Sequence, residues 1–323
     1  MKVGIIGAGA IAGTMAGTIR EMDCAQNYAV AARDYGRAAE FAQTYGFEKA
    51  YGSYEELVED AGVELVYIAT PHSHHYEHIK LCLNHGKHVL CEKSFTVNES
   101  QAREVLALAR EKKLLLTEAI WTRYMPMRKT LDSVLSSGII GRPYMLTANL
   151  GYIISGKERI MRPELAGGAL LDVGIYPLNF ASMVFGDEVD SITGTAVMTE
   201  TGVDAQNSIT ITYKDGKMAA LCSSAMGLSD RRGIIYGDNG FIEVENINNC
   251  EGIRVYDRSR NMIASYDTPK QFSGYEYEVE ACLRAIKEGA LECPEMPHEE
   301  TLRMMGWMDE LRRQWGLVYP MER

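Results

Sequence analysis

The chain opens on the apolar run Val3-Gly4-Ile5-Ile6 and turns through Gly7-Ala8-Gly9-Ala10-Ile11-Ala12 into a helical pattern. No other stretch restricts the fold as tightly. The turn fits G-x-G-x-x-A between a strand and a helix. Its first glycine permits the tight turn, and its second lets a pyrophosphate approach the backbone. The small third position lets helix and strand pack, and the helix amino end favours an anion. Gly7, Gly9, Ala10 and Ile11 are therefore candidate contacts for a dinucleotide.

The alternation continues to about residue 120. Tyr28–Ala32, Leu65–Ala69, His88–Cys91 and Leu114–Thr117 read as strands. Ala10–Met22, Tyr35–Tyr45, Tyr76–Asn84 and Glu99–Lys112 read as helices. Strands alternating with helices predict an α/β fold with a doubly wound parallel sheet, and the nearly all-apolar strands fit a sheet covered on both faces. Ligands of such sheets bind beyond the carboxyl ends of the strands. The unusual residues collect at those ends: Arg33-Asp34, Thr70-Pro71-His72, Glu92-Lys93 and Glu118.

The second half has another period. After a helix near Met127–Ser136, two-residue alternation marks Tyr144–Tyr152, Ser191–Thr199, Asn207–Tyr213, Met218–Ser224 and Arg232–Tyr236. Turns such as Lys214-Asp215-Gly216 separate them, which predicts hairpins in a large, mostly antiparallel sheet. Helices at Glu276–Glu288 and His298–Trp315 follow. The expected domains are residues 1–120, binding the dinucleotide, and residues 121–323, binding substrate and joining subunits.

A formal charge of -11 disfavours a nucleic-acid partner, since phosphate binding wants a basic surface. Seven scattered cysteines without C-x-x-C spacing read as reduced thiols in a cytoplasm. The first strand leaves no room for a signal peptide, and no apolar run is expected to span a membrane.

The residues after the second strand choose the cofactor. An acid there suits the ribose diol of NAD, whereas an arginine receives the 2′-phosphate of NADP. Arg33 and Arg37 favour NADP over NAD, and Asp34 opposes that reading if it points inward. Thr70, Pro71, His72, His75 and Glu92 are further candidate cofactor contacts, with Pro71-His72 expected in a loop. His74 and His78 are a helical turn apart, but no acid or cysteine joins the histidines at ligand spacing, so no metal is expected, and His78 reads as solvated.

Two ionisable residues interrupt apolar patterns. Lys93 follows the strand His88–Cys91 and, near a bound nicotinamide, would hydrogen-bond a substrate oxygen. Tyr176 lies on an apolar helical stretch four residues after Asp172, which shares its face wherever the segment is helical, and Asn179 is one turn on. A carboxylate on such a face needs a partner. Gly167-Gly168 mark a tight approach to this helix. Trp121, Arg123 and Tyr124 suit either a wall for a polar ring or interdomain packing.

The chain resembles the glucose–fructose oxidoreductase/inositol dehydrogenase/rhizopine catabolism (Gfo/Idh/MocA) family. The resemblance rests on Gly7–Ala12, Ala69-Thr70-Pro71, Gly86-Lys87-His88-Val89-Leu90-Cys91-Glu92-Lys93 and Gly167-Gly168-Ala169-Leu170-Leu171-Asp172-Val173-Gly174-Ile175-Tyr176. Ala31-Ala32-Arg33-Asp34 and Ala119-Ile120-Trp121-Thr122-Arg123-Tyr124 are most similar to the dimeric dihydrodiol dehydrogenase and NADP-dependent xylose dehydrogenase branch. The resemblance implies an amino-terminal Rossmann domain and a carboxy-terminal α/β domain whose open sheet makes a homodimer or higher oligomer. It also implies catalytic roles for Lys93, Asp172 and Tyr176, and 2′-phosphate contacts for Arg33 and Arg37. Ser94 stands where the family usually has proline, and His72 where it usually has asparagine.

The expected function is hydride transfer between a sugar, cyclic polyol or vicinal diol and NADP. Tyr176 is the expected proton acceptor, and Lys93 is expected to bind the oxygen from the other domain, which places the expected site in the interdomain cleft. The alternatives are a redox-neutral glycosidase or epimerase with retained cofactor, and a nucleotide-binding regulator without turnover.

Overall fold

The computed structural model describes residues 1–323. The chain folds as two compact units. Unit 1 comprises Met1–Tyr124 and Gln271–Met305; unit 2 comprises Met125–Lys270 and Gly306–Arg323. The expected division at residue 121 thus misses the return of residues 271–305 to the first unit. Its cause is local pairing: Leu116 N donates to Leu291 O at 3.2 Å, and His298 Nε2 lies 2.8 Å from Leu116 O.

In unit 1 the elements are β1 (Lys2–Ile6), α1 (Ala10–Arg20), β2 (Gln26–Ala31), α2 (Tyr35–Tyr45), β3 (Lys49–Tyr51), α3 (Tyr54–Glu59), β4 (Leu65–Ile68), α4 (His72–Asn84), β5 (His88–Glu92), α5 (Glu99–Lys112) and β6 (Leu116–Ala119). The six strands are parallel in the order β3-β2-β1-β4-β5-β6. This is the doubly wound order whose direction switches between β1 and β4, where a dinucleotide binds. Strands β1, β2, β4 and β5 are buried almost throughout, as two covered faces require.

Three local expectations need correction. The pair β3 and α3 is absent from the sequence reading, because three residues of strand make too short a run to stand out, although Ser53 and Glu56 form a capping box for α3. Helix α4 starts at His72 with Pro71 as its cap, so His72 is helical and not in a loop. Strand β6 starts two residues later than expected, because Lys113 ends α5 in a left-handed conformation and Leu114 and Leu115 complete the turn. Glu118 therefore lies inside the strand.

Unit 2 contains α6 (Pro126–Ser136), β7 (Pro143–Gly151), α7 (Glu158–Met161), a π-helical turn (Leu170–Gly174), α8 (Ile175–Phe185), β8 (Val189–Met198), β9 (Asp204–Tyr213), β10 (Met218–Ser224), β11 (Gly233–Gly237), β12 (Gly240–Glu245), β13 (Gly252–Asp257) and β14 (Met262–Asp267). Two later helices are α9 (Glu276–Glu288), in unit 1, and α10 (His298–Trp315), whose residues are divided between the units. The eight strands lie in the order β14-β13-β12-β11-β7-β10-β9-β8, antiparallel except β7 with β10. α8 packs on β7 and β10. Alternate residues of β9 and β10 are buried, so one face of the sheet is covered and the other is open.

The segment Pro163–Phe185 is long and apolar enough to cross a membrane, contrary to the expectation that no run qualifies. Most of it is buried inside the protein, so it is a core helix packed on the sheet.

Candidate active site

Gly7 follows β1 with φ +102, and a Cβ there would lie 2.9 Å from Ala69 O. Only glycine fits this approach of β1 to the end of β4. A Cβ on Gly9 would meet nothing within 4 Å. Gly9 caps α1 without a side-chain bond, and the first turn of α1 carries no acid. The first amides of α1 have no side-chain cap, and the helix dipole there favours an anion. These features fit a dinucleotide pyrophosphate.

At the end of β2, Asp34 accepts from Arg37 N at 2.8 Å and caps α2. Its carboxylate is spent on its own helix, which removes the objection to NADP. Arg33 and Arg37 are exposed, and Arg37 Nη2 reaches back to within 3.4 Å of Ala8 O. Arg33 also lies close enough to His74 to help burial lower that ring's pKa.

His78 is not the solvated residue expected. Its ring packs edge-on against Tyr54 at 4.6 Å, and its Nδ1 lies 3.0 Å from Thr70 Oγ1. Burial holds its pKa down at about 4. Tyr54 comes from α3, a helix too short to show a period in the sequence.

His75 is fully buried, with Nδ1 2.8 Å from Ser94 O and Nε2 2.8 Å from Thr70 O. Two carbonyls favour the charged ring, but burial outweighs them and lowers its pKa to about 4. A neutral ring can donate to only one of the two. His75 thus braces the loops after β4 and β5 and offers no free nitrogen to a cofactor, which corrects the expected contact. His72 is also buried, at the first residue of α4.

Lys93 follows β5, half-buried, and its peptide bond to Ser94 is cis. Its backbone N donates to Glu92 Oε2 at 3.2 Å. Glu92 is buried and also bonds the hydroxyl of Tyr67, so its carboxylate shapes the loop that presents Lys93. Glu118 accepts from Phe95 N at 3.2 Å in the same region, and burial raises its pKa to about 7.

Arg123 is ion-paired to Glu300 at 2.6 Å and is nearly fully buried. The Tyr124 hydroxyl lies 2.9 Å from Glu118 O and 2.8 Å from Thr117 Oγ1. Both are internal to unit 1, which corrects the expectation of a ring wall or an interdomain contact. The signal was absent because Glu300 lies far along the chain. Trp121 stacks on Tyr275, with centroids 4.3 Å apart and planes at 13°.

In unit 2, Asp172 is 4% exposed, and its Oδ1 accepts from Arg159 Nη1 at 2.5 Å. Arg159 comes from α7, whose single turn the sequence reading passed over. Asp172 sits on the π-helical turn, and Tyr176 is the second residue of α8. Such turns recur at functional sites. Pro177 follows the π-helical turn without a break in the helix, and its ring nitrogen has no hydrogen to donate back to that turn. Tyr176 is 8% exposed. Asn179 is fully buried, and its amide nitrogen donates to Ile175 O at 2.9 Å.

Comparison with known proteins bears on this geometry. Residues 1–120 match the oxidoreductase family with an NAD-binding Rossmann fold (GFO_IDH_MocA), and residues 129–243 match its GFO/IDH/MocA C-terminal domain. The chain belongs to this family. Among curated relatives, trans-1,2-dihydrobenzene-1,2-diol dehydrogenase of Xenopus tropicalis is 34% identical over 99% of both chains. The Homo sapiens protein of that name is 34% identical over 100% of this chain and 99% of its own. A 3-ketoreductase from Actinomadura kijaniata, in complex with NADP and TDP-benzene, superposes with a TM-score of 0.90 over 97% of both chains at 24% identity. An aldose-aldose oxidoreductase from Caulobacter crescentus, complexed with glycerol, gives 0.88 over 97% of both at 18% identity. At these identities the two structures establish the fold.

Proposed function

We propose that the protein is an NADP-dependent dehydrogenase of CH-OH groups in vicinal diols, sugars or cyclic polyols. The observation that carries this reading is Asp172, a buried carboxylate held by Arg159 one turn before Tyr176. Burying a charge in a packed helix costs stability unless it is paired, and packing alone would not select it. The full-length likeness to diol dehydrogenases supports the same substrate class.

NADP, when bound, supplies the hydride acceptor. Gly7, Gly9, Ala10 and Ile11 would hold its pyrophosphate, Arg33 and Arg37 its 2′-phosphate, and the residues Thr70, Pro71 and His72 would lie beside it. Tyr176 accepts the proton of the reacting hydroxyl. Lys93 donates a hydrogen bond to that oxygen and stabilises the negative charge that develops on it. Asp172, fixed by Arg159, orients the substrate.

The open face of the eight-stranded sheet carries exposed Met145, Val197 and Met218, which suits a homodimer. Reduced cysteines throughout fit a cytoplasmic location.

The test is Tyr176→Phe, assayed with NADP and a panel of diols, aldoses and inositols. Turnover should fall on the order of 10²–10⁴-fold, as for a lost acid–base group, with NADPH binding retained. Ordinary turnover in this variant would remove Tyr176 from the mechanism.

A further inference from the structure

The helical segment bearing Asp172 and Tyr176 begins after Gly167-Gly168, and neither glycine has a side chain to cap it. The cap comes from β9. Asp204 is completely buried, and its Oδ2 accepts from Leu170 N at 2.8 Å and from Asn207 Nδ2 at 2.9 Å. Asn207 Oδ1 in turn accepts from Ser223 Oγ at 2.9 Å. Ser223 Oγ lies 3.0 Å from where a Cβ on Gly174 would stand, so this chain of polar groups runs beneath the whole π-helical turn. From the other side, Tyr319 donates to Gly167 O at 2.6 Å.

The second oxygen of Asp204 is the unusual part. Oδ1 is buried without a hydrogen-bond partner. It lies against Gly168, where φ is +110 and a Cβ would come within 2.3 Å of it. An asparagine or serine could cap Leu170 without burying a charge. A carboxylate kept here, with one oxygen unsatisfied, costs the fold stability that packing does not return.

We propose that Asp204 is a positioning residue for Asp172 and Tyr176, whose charged form holds the π-helical turn in its working shape. The inference rests on the proposed roles of those two residues. As an anion, Asp204 serves two donors and complements the amino end of the helix. Once protonated, it has no good place for its proton. On Oδ2 the proton displaces a donor, and on Oδ1 it faces glycine with no acceptor. Either arrangement loosens the cap at Leu170, two residues before Asp172.

The charge is poised to change. Burial raises the pKa of Asp204 to about 6, against the lowering effect of the Asn207 and Leu170 bonds. The other charged or titratable groups facing it are few. Arg312 of α10 lies nearby but is already bound to Asp309 and Glu322, each at 2.7 Å. The Tyr319 phenol is buried, and burial raises its pKa far above neutrality, so it stays uncharged. In the turn itself Asp172 is paired with Arg159.

The experiment measures kcat from pH 5 to 8.5 with trans-1,2-dihydrobenzene-1,2-diol and NADP as probes, together with amide hydrogen exchange over residues 167–176. In the parent, kcat should fall about tenfold per pH unit below about pH 6, as for one required ionised group. Exchange of the segment, corrected for intrinsic rates, should rise over the same range. Asp204→Asn should show a lower plateau kcat without that limb, pH-independent exchange, and an unchanged KM for NADP. Asn207→Ala removes a donor to the carboxylate and should move both transitions to higher pH, which keeps the test available if Asp204→Asn does not fold. An unmoved exchange transition in either variant would overturn the proposal. The exchange readout needs no turnover, so it judges Asp204 even if Tyr176→Phe stays active and the acid–base reading fails.

Discussion

The cofactor preference can be computed and broken. Arg33 and Arg37 stand exposed where β2 ends and α2 begins, while Asp34 is withdrawn to cap α2. A charge-assisted hydrogen bond to a phosphate contributes about 1.5–3 kcal/mol. At about 1.4 kcal/mol per tenfold, each arginine is worth roughly 10- to 150-fold in affinity for NADPH. Arg33→Ala or Arg37→Ala should therefore raise the Kd for NADPH by that factor and leave the Kd for NADH within about twofold. The double variant should lose on the order of 10²–10⁴-fold if the two bonds act independently. Asp34→Ser keeps a capping oxygen and should change neither preference nor fold, because the carboxylate is engaged with Arg37 N. Fluorescence titration with both reduced cofactors reads the parent and all four variants. Equal loss of NADPH and NADH affinity in the arginine variants, or a parent that prefers NADH, would show that the arginines do not hold the 2′-phosphate.

Gly168→Ala forces a side chain into a positive-φ position and against Asp204. Backbone strain of about 1–2 kcal/mol and a lost bond to a charged group of about 1.5–3 kcal/mol predict about 2.5–5 kcal/mol of destabilisation in denaturant unfolding. An unchanged midpoint would show that the approach is not tight. His75 is held neutral by burial down to about pH 4. The unfolded chain takes up that proton near pH 6.5, so its stabilising contribution is present above that pH and lost on acidification toward 4. The stability advantage of the parent over His75→Gln should shrink by up to about 3 kcal/mol between pH 7 and 4, and a constant difference would contradict the assignment. Val197→Asp on the open sheet face should convert a dimer to a monomer in light scattering; a monomeric parent would contradict the proposed interface.

Much of this was legible in the chain itself. The parallel sheet was readable because its buried strands are continuous apolar runs with glycines and charged residues only at their ends. Lys93, Asp172 and Tyr176 stood out because each breaks an apolar pattern. The partners of these residues were not legible. Arg159 lies on a single turn of helix too short to leave a period, and Glu300 reaches Arg123 from a distant helix. Asp204 was not legible because β9 begins at Asp204, three residues before the alternation that starts at Asn207. Trp121, Arg123 and Tyr124 were ambiguous for a related reason. Aromatic and arginine side chains line sugar sites and pack interiors equally well, and only their partners tell the two apart.

Hydride transfer itself is the most direct test. The purified protein is given NADP and trans-1,2-dihydrobenzene-1,2-diol, deuterated at its carbinol carbons, and the reduced cofactor is examined by mass spectrometry. The expected product is NADPH that carries deuterium, formed more slowly than from the unlabelled diol, with formation collapsing in Tyr176→Phe. Unlabelled NADPH, or no reduced cofactor from any diol, sugar or inositol offered, would contradict hydride transfer.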